Sequence, residues 1–250
     1  VYDISGASVS LSASGNHVAI SCHNFDGSAG SDNGAGRVFE LVSSAWVQLG
    51  ANIEGEATLD QFGRRVSLSA DGSRVAMGSR LNDGNGADAG HVRVFEYNSS
   101  AWVQLGADID GEAAGDFSGI AVSLSPDGSR VAVGAPYNAG SGASAGHVRV
   151  FEYNSSGWVQ LGTDIDGDAA GDESGQSVSL SHDGSRLAIG VLNNDGGGSN
   201  AGHVRIFDFD TQAVSWVQMG GDLDGDVVDG FSGCVVSLSG DGSRVAVGAN

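Results

Sequence analysis

Apolar and polar positions alternate along this chain in short runs, and the runs recur. Val66-Ser67-Leu68-Ser69 alternates with period two, the signature of a strand with one buried face. Asp71-Gly72 follows as a tight-turn signal, and Arg74 to Ser79 (RVAMGS) reads as a second strand rich in small residues. A Gly/Asn/Asp loop spans Leu81 to Gly90, and His91 to Tyr97 (HVRVFEY) is a third strand. Asn98-Ser99-Ser100 is a polar turn, and Trp102 to Ile109 (WVQLGADI) is a fourth strand. No stretch carries a helical 3.6-residue period.

The whole block then repeats. The segment beginning SLS starts at Ser67, Ser123, Ser179 and Ser237 with steps of 56, 56 and 58, and a degenerate copy starts at Ser10. A second marker, WVQLG or WVQMG, keeps the same phase at Trp46, Trp102, Trp158 and Trp216. Two markers in one phase imply a single supersecondary unit copied in tandem. Four antiparallel strands in a unit of this length predict an all-β fold, a β-propeller with about 4.5 blades in this chain. The expected blades are residues 4–59, 60–115, 116–171 and 172–229, with a half blade at 230–250, forming one repeat domain over 1–250. Small residues on the first two strands suit the crowded centre, and Phe95, Tyr97 and Trp102 suit the wider periphery. The alternative is an open superhelical stack of the same sheets. The chain starts and stops inside a repeat, which suggests a piece of something longer.

Composition narrows the partners. Of 250 residues, 42 are glycine and 2 proline, and the formal net charge is -20. All 11 basic residues are arginine. An acidic surface excludes nucleic acid, whose phosphates require a basic one, and excludes docking on anionic membranes. No apolar run reaches the ~18 residues of a membrane span, so membrane insertion is not expected. Cys22 and Cys234, in the first and last units, are read either as a bridge across a closed ring or as two buried thiols.

The residues also resemble the FG-GAP repeat family, known from the propellers of integrin α-subunits. Phe62-Gly63, Gly134-Ala135-Pro136 and the stretches Gly90 to Phe95, Gly146 to Phe151 and Gly202 to Phe207 carry the resemblance. The Phe-Gly pair decays to Ser118-Gly119, Ser174-Gly175 and Ser232-Gly233. SPDGSR (Ser125 to Arg130) is similar to WD40-type repeats, but the period is long for those. The family's calcium loop between its first two strands does not carry over, because the turns at Asp71 and Asp127 offer one carboxylate each.

A different loop is acidic. After the fourth strand the units read NIEGEATLD, DIDGEAAGD, DIDGDAAGD and DLDGDVVDG. Oxygen-bearing residues fall at positions 1, 3, 5 and 9, or 8 in the last copy. They are Asn52, Glu54, Glu56 and Asp60; Asp108, Asp110, Glu112 and Asp116; Asp164, Asp166, Asp168 and Asp172; and Asp222, Asp224, Asp226 and Asp229. These loops hold 15 of the 31 acidic residues. Calcium takes six to eight oxygen ligands, so calcium is the expected cofactor; solvated acidic turns are the bland alternative. In a propeller these loops share a face with the loops that carry Asn82, Asp83, Asn85 and Asp88.

His91, His147 and His203 recur once per blade and are expected to be structural. The recurring arginines are expected to pair with carboxylates or strand-end carbonyls, and the tryptophans to pack between blades. Asn98 and Asn154 lie in N-glycosylation sequons at equivalent turns on the opposite face. No catalytic constellation stands out, since an active site breaks repeat symmetry and these residues do not. The expectation is a non-enzymatic, secreted or cell-surface protein for adhesion or extracellular assembly. Its partners would be other copies of itself, other extracellular proteins or glycans. Alternatives are a filament or sheath subunit, and a carbohydrate-binding or carbohydrate-active propeller.

Overall fold

A computed structural model describes residues 5–250, so residue 4 of the expected first blade lies outside the described residues. No helix occurs among the described residues. The first sheet contains β1 (Ser5–Leu11), β2 (His17–Cys22), β3 (Ala35–Val42), β4 (Ala45–Gln48) and β5 (Ile53–Glu54). The second contains β6 (Arg65–Leu68), β7 (Arg74–Ser79), β8 (His91–Tyr97), β9 (Trp102–Gln104) and β10 (Ile109–Asp110). The third contains β11 (Ala121–Leu124), β12 (Arg130–Ala135), β13 (His147–Tyr153), β14 (Trp158–Gln160) and β15 (Ile165–Asp166). The fourth contains β16 (Ser174–Leu180), β17 (Arg186–Val191), β18 (His203–Asp210), β19 (Ser215–Gln218) and β20 (Leu223–Asp224). A two-stranded sheet of β21 (Val235–Leu238) and β22 (Val245–Gly248) ends the chain.

Every pairing between these strands is antiparallel and joins sequence neighbours or near-neighbours, as in a propeller blade. The hairpin between the two inner strands is locked by its own sequence. Ser69 Oγ and the Ser73 amide both donate to Asp71 Oδ1, at 2.7 and 2.9 Å, and the copies at Asp127, Asp183 and Asp241 repeat this. That is why Ser-x-Asp-Gly-Ser recurs: the carboxylate satisfies turn donors that the ladder cannot reach.

The fourth strand is broken, unlike the continuous run expected from WVQLGADI. β9 and β10 both pair with β8, separated by Leu105 to Asp108. Gly106 sits there at φ +79°, and a Cβ on it would lie 2.9 Å from Trp158 Cδ1 of the next blade. The strand is thus interrupted where the neighbour's indole packs, and only glycine leaves room for it.

Blades pack through complementary faces. On β7, Val75 and Met77 are fully buried and join Val38, Ile53, Phe62 and Phe95 in one core between the first and second blades. On β12 the opposite face carries Gly134, where a Cβ would come 2.1 Å from the Gly175 carbonyl oxygen of the next blade. The alternating large and small residues of RVAMGS and RVAVGA thus let each blade press on one neighbour and admit the other. Further cores fill the second-to-third and third-to-fourth junctions, hereafter seams.

Side chains also stitch the seams. Ser67, Ser123 and Ser179 Oγ accept the amides of Leu124, Leu180 and Leu238 from the next inner strand, at 2.9, 3.0 and 2.9 Å. Trp102, Trp158 and Trp216 donate Nε1–H to the carbonyls of Leu49, Leu105 and Leu161 of the preceding blade, at 2.7, 2.7 and 2.9 Å. Trp46 has no such partner among the described residues and is 48% exposed. Trp102, Trp158 and Trp216 thus pack between blades, as their recurrence suggested, and Trp46 does not.

Candidate functional site on the acidic face

The loops after β5, β10, β15 and β20 and the loops after β2, β7, β12 and β17 meet on one face. Asn85 donates to the carbonyl of Gly111 at 2.8 Å, and Asn82 donates to Asp60 Oδ2 at 3.2 Å. The recurring sequons lie at the other end of the same strands. Asn98 Oδ1 accepts the amides of Ser100 and Ala101, and Asn154 Oδ1 accepts that of Ser156.

Position by position, each acidic loop is divided between tasks. Its last carboxylate is buried: Asp60, Asp116 and Asp172 accept the amides of Ala57, Ala113 and Ala169 at 3.0, 3.0 and 3.2 Å. The side-chain amides of Asn82, Asn138 and Asn194 donate to the same three groups. Burial pushes the Asp60 carboxyl up, against the pull of these donors. In the fourth unit Asp229 instead accepts from Asn200 at 2.9 Å.

Positions 1, 3 and 5 face the seams. Asp108, Asp164 and Asp222 each have Oδ1 held by Gln104, Gln160 and Gln218, at 2.6, 2.6 and 2.7 Å. Their Oδ2 atoms lie 3.7, 3.8 and 3.8 Å from Nδ1 of His91, His147 and His203. Asp110 and Asp224 approach the same nitrogens at 4.0 and 3.8 Å. The fifth-position carboxylate comes from the preceding blade: Glu112 Oε2 is 3.8 Å from His147 Nδ1. Three groups result, in which ligand atoms lie within 4.8 Å of one another: Glu56, His91 and Asp108; Glu112, His147 and Asp164; Asp168, His203 and Asp222. These carboxylate and imidazole groups can hold a metal ion. Outside them, Asn52 accepts from Gln48 at 3.1 Å and Glu54 accepts from Ser28 at 2.8 Å. Asp166, the last residue of β15, and Asp226, in the loop after β20, are exposed carboxylates.

The histidines, expected to be structural only, sit at the centre of this arrangement. Each is 1% exposed. Burial pushes His91 down to about 4, assisted by Arg93 and opposed by Asp108, so its ring is neutral at pH 7. His147 and His203 are lowered by burial in the same way. The arginines pair as expected. Arg93 and Arg205 bond Glu56 and Asp168 at 3.1 and 2.8 Å, and Arg74, Arg130 and Arg186 pair with Glu96, Glu152 and Asp208.

A pocket of about 340 Å³ opens beside the second seam. Asp108, Asp110, Arg149, Phe151 and Trp158 line it. Burial and the negative charge of Asp108 raise the Asp110 carboxyl, with Arg149 opposing. A smaller copy of about 200 Å³ lies one blade earlier, with Asn52, Glu54, Phe95 and Trp102. Sequence reasoning missed this pocket because its acidic and aromatic walls come from different repeats.

No family model matches the chain, and no curated protein matches it. Solved structures do resemble it. A candidate 6-phosphogluconolactonase of Bacteroides uniformis aligns with TM-score 0.57 at 13% identity over 96% of this chain. The periplasmic gluconolactonase PpgL of Pseudomonas aeruginosa aligns with TM-score 0.61 at 15% identity over 97%. Hydrazine synthase of Kuenenia stuttgartiensis aligns with TM-score 0.57 at 16% identity over 97%. This chain spans 57%, 64% and 70% of those chains. The likeness establishes the propeller fold.

It also corrects the functional expectation. Two of these propellers are gluconolactonase-type proteins and the third is named as a synthase, so this architecture houses catalysis. The reading as a non-enzymatic adhesion or assembly protein, with its filament variant, is withdrawn. It rested on repeat symmetry excluding an active site, yet the equivalent pockets of near-identical blades differ, at about 340 Å³ at the second seam and about 200 Å³ one blade earlier.

Proposed function

We propose that this chain is the blade array of a carbohydrate-active propeller that takes a sugar lactone on its acidic face. The pocket at the second seam carries the reading. Its volume suits a monosaccharide-sized ligand. Trp158 and Phe151 offer apolar surface to a sugar ring, while Asp108 and Asp110 accept hydrogen bonds from hydroxyls. Asp110, raised by its surroundings, is the candidate base for the attacking water. Arg149 is the candidate donor to the oxygen that becomes negative when the lactone carbonyl is attacked. The two gluconolactonase-type neighbours support the substrate class, and the periplasmic one supports a location outside the cytoplasm.

Glycans or free sugars are the partners of this reading. Kinship with FG-GAP repeats is kept as a proposal of descent, carried by Phe62-Gly63 and the strand motif alone. Calcium enters as an ion that bridges exposed carboxylates such as Asp110 and Asp166 to sugar hydroxyls.

The test is proton release from δ-gluconolactone at pH 6.5, with calcium and with chelator. Catalysis above the uncatalysed rate, reduced at least tenfold in Asp110→Asn, supports the proposal. A rate equal to buffer, together with no change in tryptophan fluorescence on titration with lactone or gluconate, overturns it.

A further inference from the structure

We propose that each of the first three seams binds one divalent transition-metal ion of the zinc class, held by an imidazole from one blade and carboxylates from two. The sets are Glu56, His91 and Asp108; Glu112, His147 and Asp164; and Asp168, His203 and Asp222.

The geometry is that of separated donors facing one point. The histidine Nδ1 to carboxylate distances of 3.7 to 3.8 Å are too long for hydrogen bonds. Two donors each about 2 Å from a shared ion stand roughly 3 to 4 Å apart, which these distances match. His91 and His203 have both ring nitrogens buried with no hydrogen-bond partner among the described residues, and His147 has its Nε2 so. A side chain 1% exposed, turned toward carboxylates that it does not bond, is a costly arrangement unless something joins them.

The carboxylates are oriented by neighbours, as metal ligands usually are. The Gln104, Gln160 and Gln218 amides hold one oxygen of Asp108, Asp164 and Asp222 and leave the other toward the imidazole. On Glu112, Arg149 lies 3.5 Å from Oε1 while Oε2 faces His147. One arginine does not cancel the site charge. At the first and third seams the third carboxylates, Asp110 and Asp224, leave the surroundings net negative.

The repeats supply an independent control. The first unit keeps the arginine, as Arg37, but has Ala35 where the others have histidine and Asn52 where they have the first aspartate. Histidine and aspartate are therefore lost together while arginine stays, as expected for a ligand pair and not for a packing residue that serves the arginine. Donor chemistry selects the ion. An imidazole with two carboxylates suits zinc-class ions, whereas calcium prefers an all-oxygen shell of six to eight ligands.

The proposal does not depend on lactone chemistry, and its test reads metal directly. The chelator-treated protein is titrated with zinc by calorimetry, and cobalt(II) is substituted to read its visible d–d absorption. Three ions per chain are expected, falling to two in His147→Gln and in Glu112→Gln. Equal far-ultraviolet circular dichroism and melting of the metal-free forms excludes misfolding, and Glu112→Gln changes only an exposed side chain. Zinc binding displaced by equimolar calcium, a stoichiometry unchanged in both variants, or no binding at 10-fold excess over about 10 μM protein would each overturn it.

Discussion

Removing the seam serines tests how the blades are joined. In Ser123→Ala the acceptor of the Leu180 amide disappears, and Leu180 is only 7% exposed. β16 pairs with β17 on one edge and has no strand on the other among the described residues, so the Ser123 hydroxyl serves as the acceptor of this amide. Losing an ordinary hydrogen bond costs about 1 kcal/mol, and about 2 kcal/mol if the amide stays dry. Ser67→Ala and Ser179→Ala remove the equivalent bonds to Leu124 and Leu238. Repeat arrays couple nearest neighbours, so the three losses add to a first approximation. The triple variant is expected to lose roughly 3–6 kcal/mol. For a domain of this size that lowers Tm by at least ~6 °C. Urea unfolding at fixed pH, with calorimetry for Tm, gives both quantities. A triple variant within about 0.5 kcal/mol of the parent would refute the assignment, because water would then be replacing the hydroxyls at no cost.

Three further outcomes follow from the same architecture. Gly134→Ala places a methyl 2.1 Å from the Gly175 carbonyl and should cost more than the ~1–3 kcal/mol of ordinary overpacking, read as a lower urea midpoint, while Gly115→Ala, with open space around it but φ +82°, should show backbone strain alone. Trp158→Phe removes the bond to Leu105 and should destabilise by about 1 kcal/mol, whereas Trp46→Phe, exposed and unbonded to a preceding blade, should change the urea midpoint little. Hydrogen bonds from the Ser185 amide and the Ser181 and Ser185 hydroxyls hold Asp183 down at about 2, and the Ser239 hydroxyl with Ser243 does the same for Asp241. The unfolded carboxyls titrate near their ordinary ~3.9. The unfolded state then binds more protons between about pH 4 and 2, so this contribution is present above pH 4 and lost as pH falls through 2. Asp183→Asn should be less stable at pH 6 and show a shallower decline between pH 4 and 2.

The blade was legible because each strand faces a core on one or both sides, and alternation such as Val66-Ser67-Leu68-Ser69 encodes that directly. What lay hidden was whatever crosses a seam. Ser67 looks like the solvent-facing half of an alternating strand, yet its hydroxyl serves an amide 57 residues away. Gly106 looks like strand interior, yet it clears room for Trp158. The acidic loops look self-contained in the sequence because their spacing is local. In space, position 9 turns inward to its own loop amide, and positions 1 and 5 serve different histidines. Glu56, His91 and Asp108 lie in two repeats and three segments, so no spacing rule within one loop could assemble them. One signal was present: the joint loss of histidine and aspartate at Ala35 and Asn52.

The seam is therefore the unit in which structure and chemistry meet. Half of the acidic residues crowd one face of a chain with net charge -20, and the arginines there neutralise only one carboxylate per seam. Like charges at this density oppose blade docking unless a cation or a polar ligand draws them together. A cation bound by the proposed sets would touch both blades at each seam, so its binding energy would add to the cohesion supplied by Val75, Met77 and Phe95 rather than to one blade alone. At the second blade the two proposals share a residue. Asp108 turns Oδ2 to His91 and also lines the pocket with Arg149 and Trp158. An ion at the first seam would fix the Asp108 carboxylate and lower its availability to a sugar at the second. Sugar affinity in that pocket should then fall when zinc is added, and by linkage zinc affinity at the first seam should fall by the same factor when sugar is added. Independent binding would mean that Asp108 serves only one of the two sites.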